Sequence, residues 1–510
     1  MIAMGFRQEL GANLERLFTV YDLAAFCYDY LIRNIKRQVQ FLGKYTMENE
    51  KAKQVNPNLQ RLRLLNDKVE HILQKREELG IPFSECMEEI QTYLQSITLK
   101  KYGSPCLNAA TIPFFVLLAI DRYVKQKQGK CFDPAPLNKQ YCEESYIYLD
   151  ITDNILNDAA EENNFSDMIL PARIQYQMEN LIILEKTDLS EGMDPPQAVM
   201  LRMGHMNEEM PEIFTEKKLK IAVIPYGEEM ILDFPIDCGA MFHAEYKEQY
   251  LKAGFERFAK LLEDAVENQA NIVIFPEYVC NQRVQDSIQE WLKNRYEQEP
   301  EKISSLLLVV AGSGWMEDGN NVSYIYSYNG CLLGKQYKSS EFSDFKNKGR
   351  NMVENLENPG KETTIIDIDG VGKILVGICR DISERAYIKR LANIFRPQFL
   401  LVPAWSKSVN IGFTKQFQEI ATENHRTCSV LCNCCAAYRD MNPYKTEVGI
   451  VVTPYKRGSV VEGTVDVISR SMECVKKCRE KGCIFIVDMD FSTDAVMKGK
   501  IVDAPIKQYQ

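Results

Sequence analysis

Three short apolar segments in the second half of the chain end at side chains that can do acyl chemistry. Glu277 ends IVIFPE, Lys338 ends GKQYK and Cys379 ends KILVGIC. Strands of an α/β layer deliver side chains at their carboxyl ends, where such folds have their sites, so we expect these three side chains to converge. A carboxylate, an ammonium group and a thiol are sufficient for covalent acyl chemistry.

The thiol needs a base, because a free cysteine has a pKa of about 8.5 and is mostly protonated at neutral pH. The chain has 4 histidines, and none stands beside a strand-end cysteine in the sequence. Glu277 is therefore the candidate general base, since shielding from water raises the pKa of a carboxyl group. Lys338 would hold the thiolate and a developing oxyanion, with the backbone N–H of Arg380 as a second oxyanion donor.

The elements that must position these residues begin near Leu219. From there, short apolar strands such as LKIAVIPY and QFLLVPAW alternate with amphipathic helices such as Tyr246–Gln269. Alternation of this kind predicts an α/β fold, and hairpin signals such as Asn329-Gly330 predict a mixed sheet. So many buried strands require two sheets, or one large sheet with helices outside.

The first half of the chain has the periodicity of helices. Apolar residues recur at three- and four-residue steps over Leu10–Tyr45 and Leu59–Leu79, and residues 106–128 are the most apolar part of this half. Gly80-Ile81-Pro82 is a breaker between two helices. We predict a mostly helical domain over residues 1–200, an acidic connector over about 150–217, and a second domain over residues 218–510.

Length and composition limit the class of protein. The chain has 510 residues, 45% hydrophobic and 26% charged, with a formal net charge of −10. This length suits two or three globular domains, and the mildly acidic balance weighs against broad nucleic-acid binding. The longest clean apolar run, Ala109–Ile120, is too short to span a bilayer, and the start of the chain has no secretory signal. We predict a cytoplasmic protein whose 16 cysteines are reduced.

Two groups of cysteines resemble metal ligands at first sight. The first group has the spacing C-x-C-C, which is poor for a structural zinc site, and the second lacks a paired C-x₂-C. Buried thiols acting as small hydrophobic side chains are the better interpretation of the first group, so we predict no metal and no cofactor. The two groups are Cys432, Cys434 and Cys435, and Cys474, Cys478 and Cys483.

Residues from about 219 to 495 resemble the nitrilase superfamily, also called carbon–nitrogen hydrolases. Glu277 in FPEY is similar to the general base of that family, and Lys338 in GKQYK to its catalytic lysine. Cys379 in GICRD is similar to its nucleophile, with Asp381 at the place of the acidic residue two positions further on. The segments LLVPAW, ATEN and VVTPYKRG follow in the family's order. Each motif alone is weak, but six in register are specific.

This resemblance implies a four-layer α-β-β-α sandwich for residues 218–510, within an α/β or α+β class, after the helical domain. Members of the family cleave amides, nitriles or N-carbamoyl groups through a thioester on the cysteine, without a metal. The implied partner is a small-molecule amide or nitrile, with amide favoured because most members cleave amides. Members usually pair across a helical face, which implies a homo-oligomer, a dimer or larger.

The chain departs from the family pattern near the lysine and the cysteine. Arg380 stands where an aromatic residue is common, and Ser340-Glu341 replaces a His-Leu pair. The family often uses a second glutamate to position the substrate, and both Glu341 and Glu354 are candidates. The residues that we expect to line the substrate pocket are Tyr278, Glu341, Glu354, Asp381 and Trp405.

A second hypothesis belongs to another class of protein. The nitrilase-like domain would be an assembly scaffold or a regulatory or defence module, with the helical half as the sensor or the site of a protein partner. The two hypotheses differ in the reactivity of Cys379. A catalytic thiol reacts with iodoacetamide faster than the other cysteines, whereas a scaffold requires no such difference.

Overall fold

Contacts between residues divide the chain into two compact units in the computed structural model of the protein. One comprises Met1–Ile151 and Asn163–Thr187, and the other Thr152–Glu162 and Asp188–Gln510. The residues that the structure describes are 2–35, 58–100, 105–125, 139–142, 145–149, 178, 181–185, 189, 193–201, 210–227, 232–236, 240–343, 345–347, 350–368, 370–383, 387–407, 409–424, 427–438, 447–453, 467–471, 484–490 and 498–503.

The first unit contains helices and one small antiparallel sheet. Its helices are α1 (Ile2–Asn13), α2 (Val20–Ile35), α3 (Leu59–Leu79), α4 (Phe83–Ser96) and α5 (Pro105–Lys125). Its strands, in the sheet order β1-β2-β3, are β1 (Lys139–Cys142), β2 (Ser145–Leu149) and β3 (Leu181–Glu185). The predicted break at residues 80–82 separates α3 from α4, and α5 contributes many of the buried side chains of this unit.

The periodicity from Leu10 onward does not form one helix. Helix α1 ends at Asn13 and α2 begins at Val20. Thr19 Oγ1 accepts a hydrogen bond from the backbone N–H of Asp22 at 3.2 Å, and Asp22 Oδ2 accepts from the backbone N–H of Thr19 at 2.8 Å. This reciprocal pair is a capping box, which starts a new helix even where apolar spacing continues. Residues 36–45 of the predicted segment lie outside the described part of the chain.

The second unit holds most of the strands. Its helices are α6 (Pro211–Phe214), α7 (Leu251–Glu267), α8 (Gln282–Gln298), α9 (Tyr387–Phe395) and α10 (Val409–Asn424). Its strands are β4 (Gln197–Leu201), β5 (Lys218–Val223), β6 (Leu232–Asp233), β7 (Met241–Phe242), β8 (Glu245–Tyr246), β9 (Ile272–Ile274), β10 (Leu308–Val310), β11 (Gly314–Trp315), β12 (Asn321–Ser327), β13 (Leu332–Tyr337), β14 (Phe345–Asn347), β15 (Arg350–Glu354), β16 (Thr364–Ile368), β17 (Gly372–Val376), β18 (Phe399–Ala404), β19 (Cys428–Asn433), β20 (Glu447–Val452), β21 (Val467–Ser471), β22 (Phe485–Asp490) and β23 (Lys498–Asp503).

Two large mixed sheets carry this unit. The first has the order β11-β12-β10-β9-β5-β22-β23, with β13 paired to β12, and the second has the order β21-β20-β19-β18-β17-β16-β4. Strands β5, β9 and β10 run parallel, as do β17, β18 and β19, while β12 and β20 run antiparallel to their neighbours. Strands β9, β10, β17, β18 and β19 are buried along their whole length, as expected of near-continuous apolar runs at the centre of a sheet.

The two sheets contact each other through positions that have no side chain. A Cβ atom on Gly334 of β13 would lie 2.0 Å from Oγ1 of Thr364 in β16, and one on Gly449 of β20 would lie 2.0 Å from the ring of Phe485 in β22. Helices α7 and α8 share one apolar core with β9 and β10 of the first sheet, and α10 contacts β19 and β20 of the second.

The acidic segment 150–217 contains strands that its composition did not indicate. Strand β3 closes the small sheet of the first unit, and β4 pairs with β16 in parallel at the edge of the second large sheet. The pairing of β4 begins with a hydrogen bond from Gln197 N–H to the carbonyl of Thr363 at 2.8 Å. A five-residue edge strand depends on a distant partner, so its local composition carries little signal.

We expect the substitution Gly449→Ala to lower the free energy of unfolding by about 1–3 kcal/mol, because the added methyl group overpacks a filled interface between the sheets. Gly412→Ala is the matched control. It lies in helix α10 with no atom within 4 Å of the added Cβ, so it should stabilise the helix by about 0.5–1 kcal/mol. Thermal unfolding followed by circular dichroism distinguishes the two, and equal melting temperatures would contradict the packing described above.

None of the helices among the described residues combines the length and apolar character that a bilayer span requires.

Candidate active site

The structure brings the three strand-end side chains together. Glu277 lies three residues beyond β9, Lys338 directly follows β13, and Cys379 lies three residues beyond β17. The Nζ atom of Lys338 is 2.6 Å from Oε1 of Glu277, and the thiol of Cys379 hydrogen-bonds to the same carboxyl group. All three side chains are buried. A carboxylate, an ammonium group and a thiol therefore share one small volume at the carboxyl ends of strands from both sheets.

Glu277 is held from several directions. Its Oε1 accepts hydrogen bonds from Lys338 Nζ at 2.6 Å and from Asn321 Nδ2 at 3.0 Å, and its Oε2 accepts from the backbone N–H of Trp405 at 2.9 Å. Trp405 follows β18 of the second sheet, whereas Glu277 follows β9 of the first. The carboxyl group thus connects the two sheets, and its orientation does not depend on one flexible contact.

Burial is the main cause of the raised pKa of Glu277. The neighbouring carboxylate of Glu354 raises this pKa further, the ammonium group of Lys338 opposes both effects, and the result is a pKa of about 7. An ordinary glutamate has a pKa of about 4.3 and is fully ionised at neutral pH. Glu277 is therefore able both to accept and to release a proton near neutrality, which is the property of a general acid–base group.

Lys338 is buried between two carboxylates. Its Nζ is 2.6 Å from Glu277 Oε1 and 2.6 Å from Glu354 Oε2, and 5.4 Å from the centre of the Tyr278 ring. Burial alone would lower the pKa of this amine, but the two carboxylates raise it well above its usual value. Lys338 is therefore a permanent ammonium group, which suits the stabilisation of negative charge and excludes it as a general base at neutral pH.

Cys379 begins a short 3-10 turn, Cys379–Ile382, in the left-handed region of backbone space, with φ of 48°. Few residues other than glycine adopt this conformation, and it is common at functional sites. The carbonyl oxygen of Trp405, 3.8 Å from Sγ, is a second acceptor within reach of the same S–H group. Burial raises the pKa of Cys379 well above its usual value, the charge of Glu277 adds to this, and Lys338 opposes it. The resting sulfur is therefore a thiol.

The second carboxylate at the lysine is Glu354. Its Oε2 accepts from the backbone N–H of Phe342 at 3.0 Å in addition to Lys338, and its Oε1 accepts from the hydroxyl of Tyr278 at 3.1 Å. The other candidate, Glu341, is exposed and takes no part in this group. The sequence could not separate the two because Glu354 reaches the site at the end of β15, which pairs with the distant strand β7.

Asp381 is fully buried, and its carboxylate accepts hydrogen bonds from the backbone on two sides, while its place in the substrate pocket stays a prediction. Its Oδ1 accepts from the backbone N–H groups of Ser339 at 2.8 Å and Ser340 at 2.9 Å, and its Oδ2 accepts from the backbone N–H of Ile378 at 3.0 Å. Burial raises its pKa to about 6, and these hydrogen bonds oppose the shift. Asp381 therefore ties the loop after Lys338 to the loop that carries Cys379.

An aromatic cluster lies beside the carboxylates, since the Tyr278 hydroxyl donates to Glu354 and the backbone N–H of Trp405 donates to Glu277. The ring of Tyr278 lies 5.7 Å from that of Trp405 and 6.0 Å from that of Trp315, and the ring of Phe234 lies 5.8 Å from that of Trp405. Tyr278 is buried, while Trp405 and Phe234 are half-buried and therefore nearer to solvent. The Arg380 guanidinium donates to the hydroxyl of Ser343 at 2.9 Å, so its side chain is directed to a loop.

Asn321 is the residue of this group that the sequence analysis missed. It opens β12, is fully buried, and donates from Nδ2 to both Glu277 at 3.0 Å and Glu354 at 3.2 Å. The signal in the sequence was a polar side chain at the start of an otherwise apolar and aromatic strand, NVSYIYS. A buried amide in such a place needs polar partners, but the sequence does not say which ones.

An open cavity of about 1290 Å³ adjoins the buried group. Two of its lining residues connect it with the site: Trp315, whose ring contacts Tyr278, and Asn355, which directly follows Glu354. The cavity also has a rim of ion pairs, such as Lys247 with Asp233 at 3.1 Å. Glu277, Lys338 and Cys379 themselves are not among the residues that line this cavity.

The central cysteines are buried. Cys432 and Cys434 are close to Cys280, and burial raises the pKa of Cys432 and of Cys280 well above the usual value. Among the described residues, no group of three or more His, Cys, Asp or Glu side chains is arranged to hold a metal ion. The second group of cysteines in the sequence, at positions 474, 478 and 483, lies outside the described residues.

Solved structures that resemble about half of this chain are nitrilase-superfamily proteins. An amidase from Nesterenkonia sp. is 14% identical, with a TM-score of 0.35, over 54% of this chain and 91% of that one. Nit3 of Saccharomyces cerevisiae, a member of branch 10 of the superfamily, is 18% identical, with a TM-score of 0.31, over 50% and 90%. A variant of the Nesterenkonia sp. AN1 amidase with the acetamide moiety of fluoroacetamide on its active site cysteine is 13% identical, with a TM-score of 0.36, over 54% and 91%.

No protein-family model and no curated protein matches the chain. At identities of 18% or less and TM-scores of 0.36 or less, these neighbours say nothing about the chemistry, which has to come from the contacts of the site.

Proposed function

We propose that residues 218–510 form a nitrilase-superfamily domain, a four-layer α-β-β-α sandwich, that hydrolyses a carbon–nitrogen bond of a small molecule. An amide is the favoured substrate, ahead of a nitrile. The observation that carries this proposal is the position of the Glu277 carboxyl group, which contacts both the Lys338 ammonium group and the Cys379 thiol. A structural ion pair needs no thiol beside it, and a buried structural cysteine needs no carboxylate.

The first half of the reaction forms a thioester. Glu277 takes the proton of the Cys379 thiol as the sulfur attacks the carbonyl carbon of the amide, which creates an S–C bond and an oxyanion. The Lys338 ammonium group and the backbone N–H of Arg380 stabilise the oxyanion. The C–N bond then breaks, the proton on Glu277 passes to the leaving nitrogen, and ammonia or an amine departs.

The second half releases the acid. Glu277, again a carboxylate, takes a proton from a water molecule as the water oxygen attacks the thioester carbon. The S–C bond breaks, the carboxylic acid leaves, and the sulfur regains a proton from Glu277. One group with a pKa of about 7 thus carries out every proton transfer, which is efficient because it is half-ionised near neutral pH.

A panel of small amides, N-carbamoyl compounds and nitriles, with ammonia release as the readout, tests this function. We expect turnover of at least one amide and, in mass spectra of the rapidly quenched enzyme, an acyl adduct on Cys379. The absence of both, together with iodoacetamide labelling of Cys379 no faster than that of the other cysteines, would contradict the proposal. That result would favour the alternative, an assembly scaffold or regulatory module.

We expect kcat/KM to fall about tenfold for each pH unit below about 7, because protonated Glu277 cannot accept the thiol proton. Glu341→Gln is the matched control, since Glu341 is an exposed carboxylate outside the site. The control should keep this limb of the profile unchanged. A wild-type profile that is flat between pH 5 and pH 8 would contradict a base with a pKa of about 7 and therefore the role of Glu277.

Three further properties stay predictions. We expect a homo-oligomer, a protein partner that binds the first unit, and a cytoplasmic location. Sedimentation of the full-length protein at several concentrations tests the first of these.

A further inference from the structure

The side chain of Asn321 lies between the two buried carboxylates. Its Nδ2 is 3.0 Å from Oε1 of Glu277 and 3.2 Å from Oε1 of Glu354. The backbone carbonyl of Asn321 also accepts from the backbone N–H of Lys338 at 2.9 Å. One residue thus contacts the base, its neighbouring carboxylate and the strand end that carries the ammonium group, yet no step of the proposed reaction uses it.

The orientation of the Asn321 side-chain amide shows which of its contacts are favoured, because this orientation leaves the amide oxygen without a hydrogen bond. The Oδ1 atom of Asn321 is buried and has no hydrogen-bond partner among the described residues. The reverse orientation would direct this oxygen at two carboxyl oxygens, which are acceptors when ionised. The amide therefore directs both N–H groups of Nδ2 at the carboxylates although its own oxygen stays unsatisfied, and an unsatisfied buried acceptor is unfavourable.

We propose that Asn321 is a positioning residue that, with Lys338, holds Glu277 and Glu354 side by side and sets the pH at which Glu277 can accept the proton of Cys379. This inference rests on the proposed function and adds to it a residue that acts through the base. When Glu277 is ionised, two carboxylates share the single positive charge of Lys338, and the three groups together have a net negative charge. A neutral donor that contacts both allows them to stay close without a second cation.

The direction of the effect follows from the groups around Glu277. Hydrogen bonds to the ionised form of a carboxyl group lower its pKa, so loss of the amide donor raises it. The titratable and charged groups that face Glu277 are Lys338, Glu354 and Cys379, and Tyr278 is next to it in the chain. A change at position 321 replaces none of these side chains, but it also removes the hydrogen bond from the amide to Glu354, so the shift measures the loss of both contacts of the amide.

The pH dependence of Cys379 alkylation by iodoacetamide measures this without a substrate. In that reaction the S–C bond forms, the C–I bond breaks, iodide leaves, and Glu277 takes the thiol proton. The alkylation rate should rise with pH around pH 7, where Glu277 ionises, and we call this rise the limb of the profile. In Asn321→Leu we expect the midpoint of this limb to move up by about one pH unit. Labelling at pH 6 should then slow about tenfold, while the rate at pH 9 changes little. Asn321→Ser keeps one hydroxyl donor and should move the limb less.

Ser323→Ala is the matched control. Ser323 lies two residues further along β12, is buried, and has a hydroxyl with no hydrogen-bond partner among the described residues. It should leave the limb in place. An unchanged limb in both Asn321 variants overturns the inference, even if labelling is slower at every pH, because that is the result of a purely structural role.

The experiment separates this inference from the proposed function. The midpoint of the pH profile of Cys379 alkylation is measured separately for each variant and needs no substrate, so it is obtained even if no amide is hydrolysed. If Asn321→Leu does not fold, as judged by circular dichroism, the shift or constancy of the limb in Asn321→Ser decides the question.

Discussion

Replacing Cys379 with alanine should lower the rate of amide hydrolysis by on the order of 10⁴-fold or more, because without the sulfur no thioester forms and each turnover needs direct attack by water. The stability of the fold should change by less than about 1 kcal/mol, since the substitution removes one small buried atom and the weak hydrogen bond of a thiol. Ammonia release and the melting temperature are measured on the same preparation.

Cys331→Ala is the matched control for this substitution. Cys331 is an exposed cysteine in the turn between β12 and β13, away from the buried group. It should retain full activity. If Cys379→Ala hydrolyses the same substrate at the wild-type rate, the thiol is not the nucleophile and the proposed mechanism is wrong, whatever the distances around Glu277.

The largest effect on stability is expected at Lys338. Its replacement by methionine keeps most of the volume but leaves Glu277 and Glu354 buried together without the ammonium group that lies 2.6 Å from each. Breaking a buried ion pair by removing one partner lowers the free energy of unfolding by about 3–5 kcal/mol. Activity should disappear as well, because the oxyanion loses its cation.

Two comparisons identify the cause of this loss. Lys218→Met removes an exposed ion pair, with Glu216 at 2.9 Å, and should leave the free energy of unfolding almost unchanged because solvent screens this pair. Adding Glu354→Gln to Lys338→Met removes one of the two uncompensated charges and should recover part of the stability without recovering activity. Strictly additive effects of Lys338→Met and Glu354→Gln in urea unfolding would show that the buried charges do not interact.

The positions of Glu277, Lys338 and Cys379 were predictable because each is the polar end of a strong local signal, an apolar run of strand length. The break before α2 was also within reach, since Thr19 and Asp22 have the spacing of a capping box. The apolar spacing continues from α1 into α2, so periodicity alone predicted one helix there.

Other parts of the site depend on pairings that local patterns do not encode. Glu354 was not separable from Glu341, because β15 is oriented by its parallel partner β7, more than a hundred residues earlier in the chain. Asn321 gave only the signal of a buried polar residue, and its partners come from two other strand ends. The hydrogen bonds that Asp381 accepts from the backbone of two loops were likewise not visible in the sequence.

The backbone of Cys379, with φ of 48°, has a further consequence. Glycine adopts such a conformation without a steric penalty, whereas a residue with a Cβ pays about 1–3 kcal/mol for it. The loop therefore carries the Cys379 thiol on a main chain that would be less strained with glycine at this position. Glycine at this position would relieve the strain and remove the proposed nucleophile, so thermal stability and the proposed chemistry make opposite demands on one residue.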